Sequence, residues 1–196
     1  QGGVKAEWRQ TRADSVTALN VGARYVDLLI TGQTRAEEAS WLDPATTEHV
    51  IVESGRPVLV VPHGQRDTAF GRRVVIAWNG SRESVRAVHD AMPLLTRAEV
   101  VQVMVVNPHV GYGEHGAVPG ADVCLHLARH GVKAEAHIAH ADSHAVGAAI
   151  LAQVTAVGAD LLVMGAYGHS RLRELVLGGV TRHVLQHSPV PALLSH

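Results

Sequence analysis

The chain has 196 residues, 46% of them hydrophobic and 18% charged, which is enough apolar material for one large or two small packed domains and excludes a disordered tract. Net charge is −1 with histidine neutral, so there is no electrostatic footprint for nucleic acid or an anionic membrane, and no apolar run approaches the ~18 residues of a membrane-spanning helix. Cys124 stands alone, which rules out an intrachain disulfide and suits a reducing compartment, the cytoplasm. Only Lys5 and Lys133 are lysines, and neither follows a glycine loop, so a P-loop is excluded by inspection.

From its first residues the chain repeats itself. Gly3-Val4-Lys5-Ala6-Glu7 recurs as Gly131-Val132-Lys133-Ala134-Glu135. Asp27-Leu28-Leu29, closed by Gly32, recurs as Asp160-Leu161-Leu162, closed by Gly165. His49-Val50 followed by Arg56-Pro57-Val58-Leu59 recurs as His183-Val184 followed by Val190-Pro191-Ala192-Leu193. Three matches in one order predict tandem copies. Residues 1–63 match only the second half of the other copy, so the first domain is expected to be partial, the remnant of a longer natural chain. Residues 64–71 (GQRDTAFG) are polar and bounded by glycine and read as a linker, and 72–196 as a complete domain. The first copy has no glycine between Gln33 and His49 and is not expected to bind phosphate.

In the second copy, Arg72 to Trp78 is β-rich and reads as a buried strand. Asn79-Gly80-Ser81 turns out of it, with Ser81 the N-cap of a helix whose inward face is Val85, Val88, Met92 and Leu95. Val100 to Val106 is a second buried strand, and His109 to Gly120 a loop. Ala121 to His130 is a helix stopped at Gly131, and Val132 to Ile138 alternates as an outer strand. Asp142 or Ser143 caps a helix with Val146, Ile150, Val154 and Val157 inward. The apolar run Leu161 to Met164 is a fourth strand, and Val190 to Leu194 a fifth. Strands alternating with helices define an α/β fold with an open parallel sheet, five strands to a domain and helices on both faces.

The fourth strand runs into Gly165 and Gly168, and after nine further residues the pair Gly178-Gly179 opens a helix at Val180-Thr181. Glycine lets backbone approach an anion and a helix N-terminus supplies oriented N–H donors, so this stretch is built for phosphate. Its spacing, Gly-x2-Gly-x9-Gly-Gly, resembles the nucleotide-binding motif of the universal stress protein family, G-x2-G-x9-G-(S/T). Gly179 stands where the family has Ser or Thr, and Thr181 is the candidate replacement for that hydroxyl.

The resemblance implies strand order 3-2-1-4-5, as in adenine nucleotide α-hydrolase-like folds, with ligands at the switch point between the first and fourth strands. It implies ATP as ligand, with Mg²⁺ carried on the phosphates, and a regulatory stress-response role with at most slow hydrolysis. The implied contacts are Asn79, Gly80, Ser81, the backbone of Val106 near the adenine, Gly165, Gly168, His169, Gly178, Gly179, Val180 and Thr181. Asn79 occupies a position that is commonly Asp in the family. Family dimers pair through the fifth strand, so Val58 to Val61 and Val190 to Leu194 are expected to pair in a pseudo-dimer, with a homodimer also open.

Two further readings stand beside this one. In the first, Asn79 and Gly179 mark a nucleotide-free member that works as a dimerising interaction module. In the second, the protein is an enzyme of the related α-hydrolase group, but Trp78-Asn79-Gly80-Ser81-Arg82 does not match the SGGxDS loop of that group. Arg171 and Arg173 could reach phosphate oxygens, although solvated surface charges are the blander account. The i, i+4 histidine pairs 126/130 and 183/187 lack an HExxH glutamate or a Cys/Asp cluster, so surface histidines rather than a metal site are expected. Gly168-His169-Ser170-Arg171-Leu172 departs from GxSxG at its last residue, so no serine nucleophile is expected.

Overall fold

The computed structural model describes residues 5–33, 44–65, 69–108, 118–168 and 179–196. Its strands are β1 (Leu29–Gly32), β2 (Val58–Val61), β3 (Arg73–Ala77), β4 (Val100–Val106), β5 (Ala134–Ala139), β6 (Leu161–Gly165) and β7 (Ala192–Ser195). Its helices are α1 (Ser15–Ala23), α2 (Pro44–Glu53), α3 (Arg82–Leu95), α4 (Ala121–Arg129), α5 (Val146–Ala156) and α6 (Gly179–His187), with a single 3₁₀ turn at Ser143–Ala145. All seven strands form one sheet in the order β1-β2-β7-β6-β3-β4-β5.

Within that sheet, β3 to β7 lie in the expected order 3-2-1-4-5 and pair in parallel. These are the five strands expected of the complete domain, and β1 and β2 extend the sheet to seven. The outer edge of β7 is taken by β2, antiparallel, with Val58 opposite Leu194, Leu59 opposite Leu193 and Val60 opposite Ala192. β1 then pairs in parallel with β2. The antiparallel join therefore interrupts an otherwise parallel sheet at one place.

Both faces of the sheet are covered, which is why the strands read as unbroken apolar runs. Side chains alternate along each strand: Leu161 and Val163 pack with α3 and α4, while Leu162 and Met164 pack with α2, α5 and α6. The right-handed crossover rule explains the division, since β3–α3–β4 and β4–α4–β5 step one way across the sheet and β6–α6–β7 the other.

α3 lies closer to the sheet than its sequence suggests. The expected inward face, Val85, Val88, Met92 and Leu95, is corrected to Ser84, Ala87, Val88, Ala91 and Leu95, with Val85 exposed and Met92 half-buried. Small residues are selected on this face because α3 rests directly on β6. The start of β3 is fixed from across the sheet by Asp160, whose carboxylate accepts from the backbone N–H groups of Gly71, Arg72 and Arg73 at 2.9, 3.1 and 3.0 Å. The recurring Asp-Leu-Leu thus has a physical role in the second copy.

Hydrogen bonds in the first part of the chain recur in the second. Leu29 N–H donates to the Pro57 carbonyl and Leu162 N–H to that of Pro191, both at 3.0 Å. Gln33 N–H donates to Val61 and Ala166 N–H to Ser195, at 2.7 and 2.8 Å. Ser54 and Ser188 each close the end of a helix, with their hydroxyls donating two residues ahead to the Arg56 and Val190 carbonyls.

His126 lies among His89, His130 and Arg129, with ring centroids 5.5 Å from His89 and 4.8 Å from His130. Desolvation first, and then the neighbouring His130, His89 and Arg129 side chains, hold its pKa below the ordinary imidazole value; burial and then His187 do the same to His183. The unfolded chain therefore binds more protons, and the stability linked to these rings is fully present above about pH 6.5 and is lost as pH falls from there through their lowered folded-state values. Denaturation midpoints are expected to drop on going from pH 7 to pH 5, with a shallower drop in His126→Gln; identical slopes would contradict the assignment.

Candidate functional site

The ends of β6, β3 and β4 are neighbours at one rim of the sheet, so Gly165, Asn79 and Val106 lie side by side there, across roughly 10 Å at the usual strand spacing. Two turns that are far apart in sequence meet at this rim. A Cβ placed on Gly165 would lie 2.4 Å from the Ser84 backbone nitrogen and 2.5 Å from the Glu83 carbonyl carbon. One placed on Gly168 would lie 2.7 Å from Glu83 Oε2 and 3.0 Å from Ser81 Oγ. Bare backbone of the β6 loop thus rests on the first turn of α3. This is the switch point of the open sheet, where connections leave adjacent strands in opposite directions.

The turn after β3 is ordered by its own side chains. Asn79 Oδ1 accepts from Ser81 N–H at 3.1 Å, Gly80 has φ +72°, and Ser81 Oγ accepts from Ser84 N–H at 3.2 Å to cap α3. Both polar side chains thus have the local turn and cap roles that a plain reading of the sequence gives them. Asn79 and Gly80 are exposed, and Ser81 is half-buried.

Thr181 is buried, and its Oγ1 accepts from Tyr167 N–H at 3.4 Å. The bond ties the first turn of α6 to the head of the β6 loop through an acceptor site of this hydroxyl. Gly179 at the start of α6 is different: it is exposed, and among the described residues a Cβ there would meet nothing within 4 Å. Val180 is half-buried against the core beneath α5 and α6. His169, Gly178, Arg171, Arg173 and the sequence 168–172 beyond its first glycine lie outside the described residues, as does most of the loop expected at 109–120.

Three residues that the sequence reading passed over belong to this rim. Glu83 is only 7% exposed, with its carboxylate at the N-terminus of α3 beside Gly168 and 3.4 Å from Arg82 Nε. Asn107 (φ +51°) clasps the end of β5: its Nδ2 donates to the Ala141 carbonyl and its Oδ1 accepts from Ala141 N–H. Asn tolerates this left-handed backbone, which was a readable signal at Asn107-Pro108.

Tyr167 carries no such signal. It has φ +59°, and its hydroxyl is buried beside the Glu48 carboxylate and Arg182, with no hydrogen bond of good geometry among the described residues. Burial first, and then the Glu48 carboxylate, raise its pKa well above the usual phenol value. Tyr167→Phe removes a desolvated hydroxyl that lacks a well-formed bond and is expected to leave stability unchanged or raise it by about 1 kcal/mol, read from the urea midpoint. A loss of that size would show the hydroxyl to be bonded.

Among the described residues, no group of three or more His, Cys, Asp or Glu is arranged to hold a metal ion. No described helix is long and apolar enough to cross a membrane.

The open α/β sheet with glycines at its topological switch point defines the doubly wound class of fold. The model of the universal stress protein family matches residues 71–196, and the chain belongs to that family. It is 29% identical over 172 residues to universal stress protein Slr1230 of Synechocystis sp., an alignment covering 85% of this chain and 57% of that one. Among solved structures it is similar to a universal stress protein from Archaeoglobus fulgidus, with TM-score 0.69, 21% identity, and 92% of this chain and 64% of that one covered. It is also similar to a putative universal stress protein from Pseudomonas aeruginosa, with TM-score 0.61, 14% identity, and 94% and 69% covered. These two structures speak for the fold. The chain therefore spans somewhat under two thirds of the first relatives it matches.

Proposed function

We propose that the switch point at the ends of β6, β3 and β4 binds an adenine nucleotide, ATP, in a regulatory role. The observation that supports this reading is the place of Gly165 and Gly168 at the switch point, seated against the first turn of α3, where two positions of the β6 loop carry no Cβ and lie beside a helix N-terminus. The α6 N-terminus is tied to the same loop through Thr181 and Tyr167, bringing a second source of oriented N–H donors to it. Val106 on the far side of β3 offers backbone for the base. Mg²⁺ would be held by the phosphates and not by a protein cage. Occupancy would act by differential affinity for two arrangements of the loop and its neighbours.

A second reading keeps the fold and drops the ligand. Glu83 favours it, since a buried carboxylate beside Gly168 opposes phosphate unless Arg82 offsets it. Calorimetric titration of ATP with Mg²⁺ separates the two. Saturable binding in the micromolar range supports the nucleotide site, and no heat at millimolar ATP supports the interaction module.

The organisation is read in the same way: residues 1–63 as the second half of one domain, 64–71 as linker and 72–196 as a whole domain, paired as a pseudo-dimer. The recurring hydrogen bonds at Leu29/Leu162, Gln33/Ala166 and Ser54/Ser188 support it.

A further inference from the structure

Two contacts across the join between the halves link positions that correspond in the repeat. Glu48 and Arg182 are 134 residues apart and form an ion pair, with Arg182 Nε 3.4 Å from Glu48 Oε1. The same spacing separates Leu59 from Leu193, which face each other in the β2–β7 ladder, and relates Val50 to Val184 and Ser54 to Ser188. A position that touches its own counterpart lies on the pseudo-two-fold axis. In a true two-fold dimer such a residue would meet a second copy of itself. Leucine tolerates this, but a charge does not. Two second halves would bring Arg182 against Arg182, and two first halves would bring Glu48 against Glu48.

A second asymmetry points the same way. Gln33 Nε2 crosses the join to donate to the Leu185 carbonyl at 3.0 Å, while Gln33 Oε1 accepts from His63 N–H. The residue with the matching backbone bond in the second half is Ala166, which has no donor to return. A pairing of two second halves would lose this bond from both sides.

We propose that this surface is coded for unlike partners: the β2/α2 face of the first half fits the β7/α6 face of the second and rejects a second copy of itself. Glu48 and Arg182 supply the discrimination by charge, and Gln33 adds to it by a one-sided hydrogen bond. Glu48 is mostly buried, its side chain 11% exposed against 50% for Arg182, so a like charge placed opposite it is poorly screened. The inference rests on the tandem reading and not on nucleotide binding, and no nucleotide enters its test.

The test is a charge-reversal cycle on the whole chain. Glu48→Arg recreates the Arg–Arg contact of two second halves, and Arg182→Glu the Glu–Glu contact of two first halves. Each single reversal is expected to lower the folding equilibrium constant about tenfold in low-salt urea titrations. The double reversal should restore most of the loss, and added NaCl should shrink the single-variant deficits. Arg182→Glu sits at a half-exposed position and keeps the test open if Glu48→Arg fails to fold. Single variants that match the parent, losses that simply add in the double variant, or deficits indifferent to salt would overturn the proposal.

Discussion

Gly165→Ala is expected to destabilise the protein by about 3 kcal/mol, near the upper end of what one added methyl costs in a packed interior. The neighbours it would strike are the Ser84 nitrogen and the Glu83 carbonyl carbon, both backbone and both in the first turn of α3. A flexible side chain could swing aside, but a helix terminus can yield only by shifting as a whole. Such a shift would pull Ser84, Ala87, Val88 and Ala91 off β6, where their small size sets the spacing between helix and sheet. For a domain whose total stability is of the order of 5–15 kcal/mol, the change would be plain in a urea titration. Gly179→Ala is the matched control. Among the described residues its methyl would enter open space at a helical position, so the same substitution there should be neutral or stabilising by up to about 1 kcal/mol. Equal effects at the two positions would mean that the close seating of α3 on β6 is not real.

Gly179→Ser is expected to tighten ATP binding about tenfold. The family motif places Ser or Thr here, and this chain departs from it at a residue where a Cβ would meet no described atom within 4 Å. Thr181 is poorly placed to make up the deficit, because its side chain is buried and turned toward Tyr167 N–H. A serine at the start of α6 adds one O–H donor beside the helix N-terminus. A hydrogen bond to a charged oxygen contributes about 1.5–3 kcal/mol, and 1.4 kcal/mol is a factor of ten in Kd. Thr181→Val makes the contrasting variant: it should loosen the loop through Tyr167 while leaving the helix terminus otherwise intact. An unchanged affinity in Gly179→Ser would place the phosphates away from α6.

Much of this architecture could be read from short stretches of sequence. The unbroken run Leu161 to Met164 ending in Gly165 required a strand covered on both faces, and the internal repeat indicated that Val58 to Val61 would lie against the last strand. The pairing of Leu59 with Leu193 bears out that second expectation. That β1 would extend the same sheet beyond β2 was not read, because a strand's apolar pattern says nothing about what occupies its edge. α3 misled for a related reason. Val85 and Met92 look like core residues by hydrophobicity, but the buried face of the helix is turned toward Ser84, Ala87, Val88, Ala91 and Leu95, a set whose small members hydrophobicity alone passes over. Glu83 reads as a solvated charge early in a helix, and its burial follows only from Gly168 folding over it. Tyr167 carries a left-handed backbone and a buried hydroxyl that nothing in its neighbours announces. The glycines that open the site were legible by spacing, while the side chains packed beneath them were not.

The most direct test of the central claim is amide chemical-shift mapping of the ¹⁵N-labelled protein during titration with ATP and Mg²⁺. A nucleotide at the switch point predicts saturable shifts at Gly80, Ser81, Gly165, Gly168 and Gly179, with weaker shifts near Val106 and none along the far ends of the same strands at Arg73 and Leu161. Saturable shifts confined to other surfaces, or an unchanged spectrum at millimolar ATP, would contradict the assignment and leave the protein as a paired scaffold.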